Sequence, residues 1–164
     1  MIGPGLDLLF CGINPSLASA AAGHHFARPG NRFWPALHRA GLTDRQLTPA
    51  EDASLLTCGL GLTNLVARPT RAAAELSAEE LRAGAAELAA KVAHYRPAKV
   101  AFLGVLAYRR AFGRPRAALG PQPEPLGPSQ LWVLPNPSGL QARYQLADIV
   151  DALRAVVAAG PDGE

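Results

Sequence analysis

The residues best suited to chemistry fall in the stretch from Leu8 to Trp34. An uninterrupted apolar run, residues 8–11, breaks at Gly12, and the first polar side chain beyond it is Asn14, fixed against Pro15 and followed by Ser16. Pro15 restricts Asn14 to extended backbone, and Gly12 lets the chain pass close to whatever lies beside it. This is the pattern of a buried strand delivering one amide to a pocket, although a strand ending in Gly and Asn is more often only a turn. A carboxamide can orient a water molecule through its carbonyl oxygen, but it cannot take a proton at neutral pH as a carboxylate would. A catalyst built on it is slow. His24 and His25 lie nearby, yet loop histidines beside a glycine are more often polar surface than catalysts.

Such an amide needs a scaffold. Residues 7–13 form a continuous apolar run that fits a strand covered on both faces, residues 99–103 and 130–134 share its texture, and residues 61–65 make a shorter fourth candidate. Between them lie helical patterns with recognisable ends. Thr48-Pro49-Ala50-Glu51 is a capping box that predicts a helix over 49–56. Ser77-Ala78-Glu79-Glu80 is a second box, followed by an apolar stripe of Leu81, Ala85, Leu88, Val92 and Tyr95 that Pro97 stops. Asn31 or Trp34 opens a helix reaching Arg39 and stopping at Gly41, and Gly104 opens another over 105–112. The last helix runs through Leu146, Ile149, Val150, Leu153 and Val157, turns Asp148, Asp151 and Arg154 outward, and ends at Gly160 and Pro161. Residues 114–128 hold five prolines and read as an irregular surface loop.

Strands alternating with helices imply an α/β fold, a three-layer sandwich in which a short, mostly parallel four-stranded sheet is flanked by helices. The 164 residues read as a single domain with loose ends at about 1–5 and 160–164. In open parallel sheets ligands bind outside the carboxyl ends of the strands. That rule alone gathers residues 12–14, Thr63 and Asn64, Gly104, and residues 135–140 at one rim.

Composition narrows the classes. The formal charge is +3, and of 16 basic residues only Lys91 and Lys99 are lysines. Arginine forks suit phosphate oxygens, whereas an arginine-rich sequence is equally compatible with ordinary solvated charge. The two cysteines, Cys11 and Cys58, lack zinc-ligand spacing and are too few for an iron–sulfur cluster. No apolar run is long enough to span a membrane, so the expectation is a soluble, cytoplasmic protein that needs no metal or cofactor.

Four blocks, Gly12-Ile13-Asn14-Pro15, Asn31-Arg32-Phe33-Trp34, Arg68-Pro69-Thr70 and Leu134-Pro135-Asn136-Pro137-Ser138-Gly139-Leu140, together resemble the mismatch-specific uracil (and thymine) DNA glycosylases of the uracil-DNA glycosylase superfamily. They occur in that family's order and span nearly the whole chain. The resemblance implies a monofunctional glycosylase that flips uracil out of duplex DNA opposite guanine and hydrolyses its bond to the sugar. It makes Asn14 the residue that holds the catalytic water. It makes Ile13 and the backbone N–H groups after the first strand, with Asn136, the contacts to the uracil oxygens. Phe26 matches the aromatic that stacks on the extruded base, its alternative being a core residue that pins the loop. Ser16 stands where this branch usually has glycine and uracil-selective relatives have tyrosine, so thymine or ethenocytosine remain candidate substrates. Asn64 stands where some relatives carry lysine, and either assists at the site or caps the strand.

The same resemblance makes residues 136–140 a wedge loop whose Leu140 fills the gap left by the flipped nucleotide, unless that leucine folds back onto the core. Ser138, Gly139, Gln141 and Arg143 go with it toward DNA, and Gln141 or the Gly139 carbonyl is the candidate reader of the widowed guanine. Arg68 either approaches phosphate or merely completes a turn. The partner implied is double-stranded DNA with a G:U mismatch, met by a monomer. The competing reading is a non-catalytic nucleic-acid or nucleotide-binding module on the same scaffold, in which Asn14 is structural. Phosphate-loop, dinucleotide and serine-hydrolase motifs do not occur.

Overall fold

The computed structural model describes residues 1–160. Its centre is a five-stranded sheet of β1 (Leu8–Gly12), β2 (Leu60–Asn64), β3 (Lys99–Leu103), β4 (Gly120–Pro121) and β5 (Gln130–Leu134), in the order β2-β1-β3-β5-β4. Four of these strands run parallel, and β4 lies antiparallel against β5 at the edge. The apolar runs predict four strands; the additional one, β4, is two residues long and carries a proline. An edge position tolerates Pro121 because no further strand needs its missing N–H.

Side chains that alternate along each strand feed two separate cores. Leu8, Phe10, Leu62, Ala101 and Leu134 point one way, where they meet α2 (Phe33–Arg39), α5 (Leu146–Ala158) and Leu55 of a 3-10 helix (Pro49–Cys58). Leu9, Cys11, Val100, Phe102 and Val133 point the other way, against α3 (Ala78–Tyr95) and α4 (Val105–Phe112). The arrangement is the expected three-layer sandwich. It also explains why the strands read as unbroken apolar runs: both faces of β1 are buried along its whole length.

Local differences from the sequence reading have physical reasons. The Thr48 box closes, Glu51 accepting from the Thr48 N–H at 2.8 Å, but the turns that follow are 3-10 wound and run on to Cys58. A capping box marks a start and says nothing of pitch. The region after β1 contains a helix that apolar spacing does not announce, α1 (Leu17–Ala22), because its one buried residue is Ser19. Its signals are the caps: Ser16 accepts from the Ser19 N–H, and Gly23 closes the helix at φ 72°. On α5 the inward residue is Val156, fully buried, whereas Val157 is 56% exposed. Leu153 plus three and Leu153 plus four are both apolar, and only packing separates them. Pro161, expected to stop this helix, lies outside the described residues.

Candidate functional site

Parallel strands bring the carboxyl ends of β1, β2, β3 and β5 to one rim, where a cleft of about 470 Å³ opens. Ile13, Asn14, Ser16, Phe26 and Asn64 line it, as do Asn136, Ser138, Leu140 and Gln141 from the loop after β5. Segments far apart in sequence therefore meet in one cavity. Gly12 is the reason they meet so closely: a Cβ there would stand 2.8 Å from Asn64 Oδ1 and 3.4 Å from the Phe26 ring.

Asn14 is held by its nitrogen. Nδ2 donates to the Arg68 carbonyl at 2.9 Å and to Thr70 Oγ1 at 2.8 Å. A carbonyl can only accept, and Thr70 Oγ1 already donates to the Ala72 carbonyl at 2.8 Å, so both amide hydrogens are spoken for and the amide cannot be turned over. What remains to offer the cleft is Oδ1. The partners arrive by continued strand pairing beyond β2. Leu65 and Val66 donate to the Gly12 and Ile13 carbonyls, Ser16 bridges Thr70, and Thr70 itself is only 5% exposed.

Asn136 is held the opposite way. Its Oδ1 accepts from the Ser138 N–H at 3.0 Å, an interaction only the oxygen can make, so its NH₂ is the group left to donate. One cleft thus carries two amides locked in opposite senses, one offering an acceptor and the other a donor. Such a pair can orient a nucleophilic water at one point and stabilise developing negative charge at another.

Phe26 sits at φ 53°, a left-handed conformation that a side-chain-bearing residue adopts only where its surroundings enforce it. Four bonds on its flanks do so. The buried Asp52 accepts from the His25 N–H at 3.1 Å and meets His24 Nδ1 at 3.3 Å, Trp34 Nε1 donates to the His25 carbonyl at 3.2 Å, and the Ala27 N–H donates to Ser19 Oγ at 2.9 Å. The Phe26 ring rests on Phe33, centroids 4.2 Å apart, and still lines the cleft. It is both a packing residue and a cleft wall. Burial pushes the His25 pKa down, against the pull of Asp52, which favours the neutral imidazole.

Residues proposed for DNA divide. Leu140 is 55% exposed at the cleft mouth and has not folded back onto the core. Gly139 and Arg143 lie outside the cleft lining, and Arg143 stacks over Tyr144 at 5.5 Å. Arg68 faces away: Nε and Nη2 donate to the Glu80 carboxylate at 2.6 and 3.0 Å, which helps hold that carboxyl at about 2. Its backbone, through the carbonyl that holds Asn14, is what reaches the site. The arginines that do line the cleft are Arg28 and Arg71. Thr70, Ser19, Asp52 and Arg71 carry roles that sequence analysis does not assign, and a cap at Ser16 with a glycine at 23 is the one signal that could have pointed to Ser19.

Among the described residues no group of three or more His, Cys, Asp or Glu is placed to hold a metal ion, and no helix is long and apolar enough to cross a membrane. Cys11 is fully buried, which pushes its thiol up to about 12 and leaves it inert; Cys58 is exposed. Set against known families, residues 1–157 match the model of the uracil DNA glycosylase superfamily.

Proposed function

The chain belongs to the uracil DNA glycosylase superfamily, whose members hydrolyse N-glycosidic bonds in DNA, and from that premise we propose that it is a monofunctional glycosylase excising uracil opposite guanine in duplex DNA. The observation that carries this reading is the opposed locking of Asn14 and Asn136 across one cleft. Asn14 Oδ1 accepts from a water placed against C1′ of the flipped nucleotide. As the C1′–N1 bond breaks, its electron pair leaves with the base, and the Asn136 NH₂ and loop N–H groups meet the charge that collects on the uracil oxygens. The water oxygen ends on C1′. Its proton goes to solvent or to the departing base, since Asn14 has no basic site, and the products are free uracil and an abasic sugar.

Other residues take supporting parts. Phe26 stacks on the flipped base, Ile13 and Asn64 close the pocket around it, and Arg28 and Arg71 are better placed for phosphate than Arg68. Ser16 commits its hydroxyl to Ser19, accepting from its N–H at 3.0 Å and meeting its Oγ at 3.0 Å, so the group is spent on capping α1. A small side chain turned to its own helix leaves room for a 5-methyl group, which favours thymine and ethenocytosine as further substrates. Both lysines are engaged elsewhere, Lys91 with Thr63 Oγ1 and Lys99 with the Val156 and Ala159 carbonyls, which supports attack by water over a Schiff base.

The test is incubation with duplexes bearing one uracil opposite guanine or adenine, followed by alkaline cleavage of abasic sites. Strand breaks mainly with guanine are expected; none with either duplex would end the proposal. Thr70 supplies a subtler check. Thr70→Val keeps the shape but removes the acceptor for one Asn14 hydrogen, so the amide can rock about its remaining bond to Arg68. Loss of one such bond, about 0.5–1.5 kcal/mol, corresponds to a fall in kcat of about tenfold or less. DNA affinity should not move, and Thr70→Ser should restore the rate. A Thr70→Val enzyme at full rate would show that the threonine does not hold Asn14 in place.

A further inference from the structure

We propose that Arg32 is the positioning residue that presets the loop 136–144, so that Leu140 stands ready before DNA arrives; what the loop then does rests on the function proposed above. Arg32 lies just before α2, and its guanidinium sits among the backbone carbonyls of that loop. Nη2 donates to Ser138 at 2.9 Å and Gln141 at 3.0 Å with Asn136 at 3.4 Å, Nε donates to Pro137 at 3.4 Å, and Nη1 donates to Tyr144. Its own N–H donates to Pro137 at 2.9 Å. Among the described residues no carboxylate pairs with it. The charge is met by carbonyl dipoles alone, and all of them belong to one loop.

That pattern suits a guanidinium and nothing else. Its planar fork presents five N–H donors in fixed directions, whereas an ammonium offers three from a single point. A second contact seats the same loop. A Cβ on Gly139 would come within 2.9 Å of the Gly30 carbonyl, so the glycine allows the loop to rest directly on the backbone that leads into Arg32. The loop holds Leu140 at 55% exposure, outside both hydrophobic cores. Arg32 therefore lowers the entropy of the free loop, and less remains to be lost when the leucine enters the helix.

The test compares Arg32→Gln, Leu140→Ala and the double variant. Amide exchange at Ser138, Leu140 and Gln141, whose N–H groups bond within the loop, is measured in the free protein, and single-turnover excision is measured on a U·G duplex. Arg32→Gln should speed exchange at these amides and slow excision by about tenfold or more, and the double variant should be no slower than Leu140→Ala alone, because both changes disable one device. Unchanged exchange, or losses that multiply in the double variant, would overturn the inference. Should Arg32→Gln fail to fold, Arg32→Lys carries the same comparison, keeping the charge without the fork. A wild-type protein that excises nothing would sink the proposed function alone, and exchange in the free protein would still decide the role of Arg32.

Discussion

Asn14→Ala is expected to lower single-turnover excision of uracil from a U·G duplex by about a hundredfold, the loss that about 1 Å of misplacement of a reacting group can cause. Affinity for the duplex should hardly change, because Asn14 spends both hydrogens on Arg68 and Thr70 and leaves only Oδ1 to the cleft. Stability should fall modestly: the Arg68 carbonyl loses a partner at an exposed site, and the buried Thr70 hydroxyl keeps its bond to the Ala72 carbonyl. A folded, DNA-binding and nearly inactive variant is the expected result. Asn14→Asp separates orientation from basicity. A carboxylate would be the stronger base, but it would turn an oxygen toward the Arg68 carbonyl, which can only accept. The repulsion swings the group out of line, so this variant should recover less than about a tenth of the wild-type rate, in keeping with the sensitivity of such steps to small misplacements. Full activity in Asn14→Ala would remove Asn14 from the mechanism.

The scaffold was legible where apolar content and geometry coincide. The runs 99–103 and 130–134 become β3 and β5 with the expected ends, because beyond Lys99 and Gln130 these strands are buried on both faces and carry no polar residue to blur them. The rim followed from topology, since parallel strands must present their carboxyl ends together. Less legible was everything decided by a partner distant in sequence. Arg68 reads as a phosphate ligand until Glu80, twelve residues on, takes its guanidinium at the start of α3. Asp52, within the segment that the Thr48 box opens, carries no sequence signal of its own, yet it is buried and fixes His24 and the His25 N–H from 28 and 27 residues away. The sense in which each asparagine is locked was out of reach for the same reason. It depends on whether the neighbour donates or accepts, and Thr70 is brought to Asn14 by backbone pairing of residues 12–16 with residues 65–70.

Leu140→Ala should slow excision from a U·G duplex by about 10–100-fold, while slowing excision of uracil from an unpaired position by much less. Flipping a nucleotide costs a few kcal/mol of stacking and pairing, and an apolar side chain moved from water into the vacated gap offsets part of it. Burial of a leucine is worth about 1.5–3 kcal/mol, which sets the expected size. In the free protein the same side chain is 55% exposed, so its truncation removes little packing and the melting temperature should stay nearly unchanged. That contrast separates a wedge from a structural leucine: the latter would lower stability and affect paired and unpaired substrates alike. Where uracil is already unpaired, no neighbour has to be displaced, and Asn14, Asn136 and Phe26 stand at the cleft whether or not Leu140 is present. Equal losses on paired and unpaired uracil would leave the leucine outside base flipping and move the burden of opening the helix onto other residues of the loop.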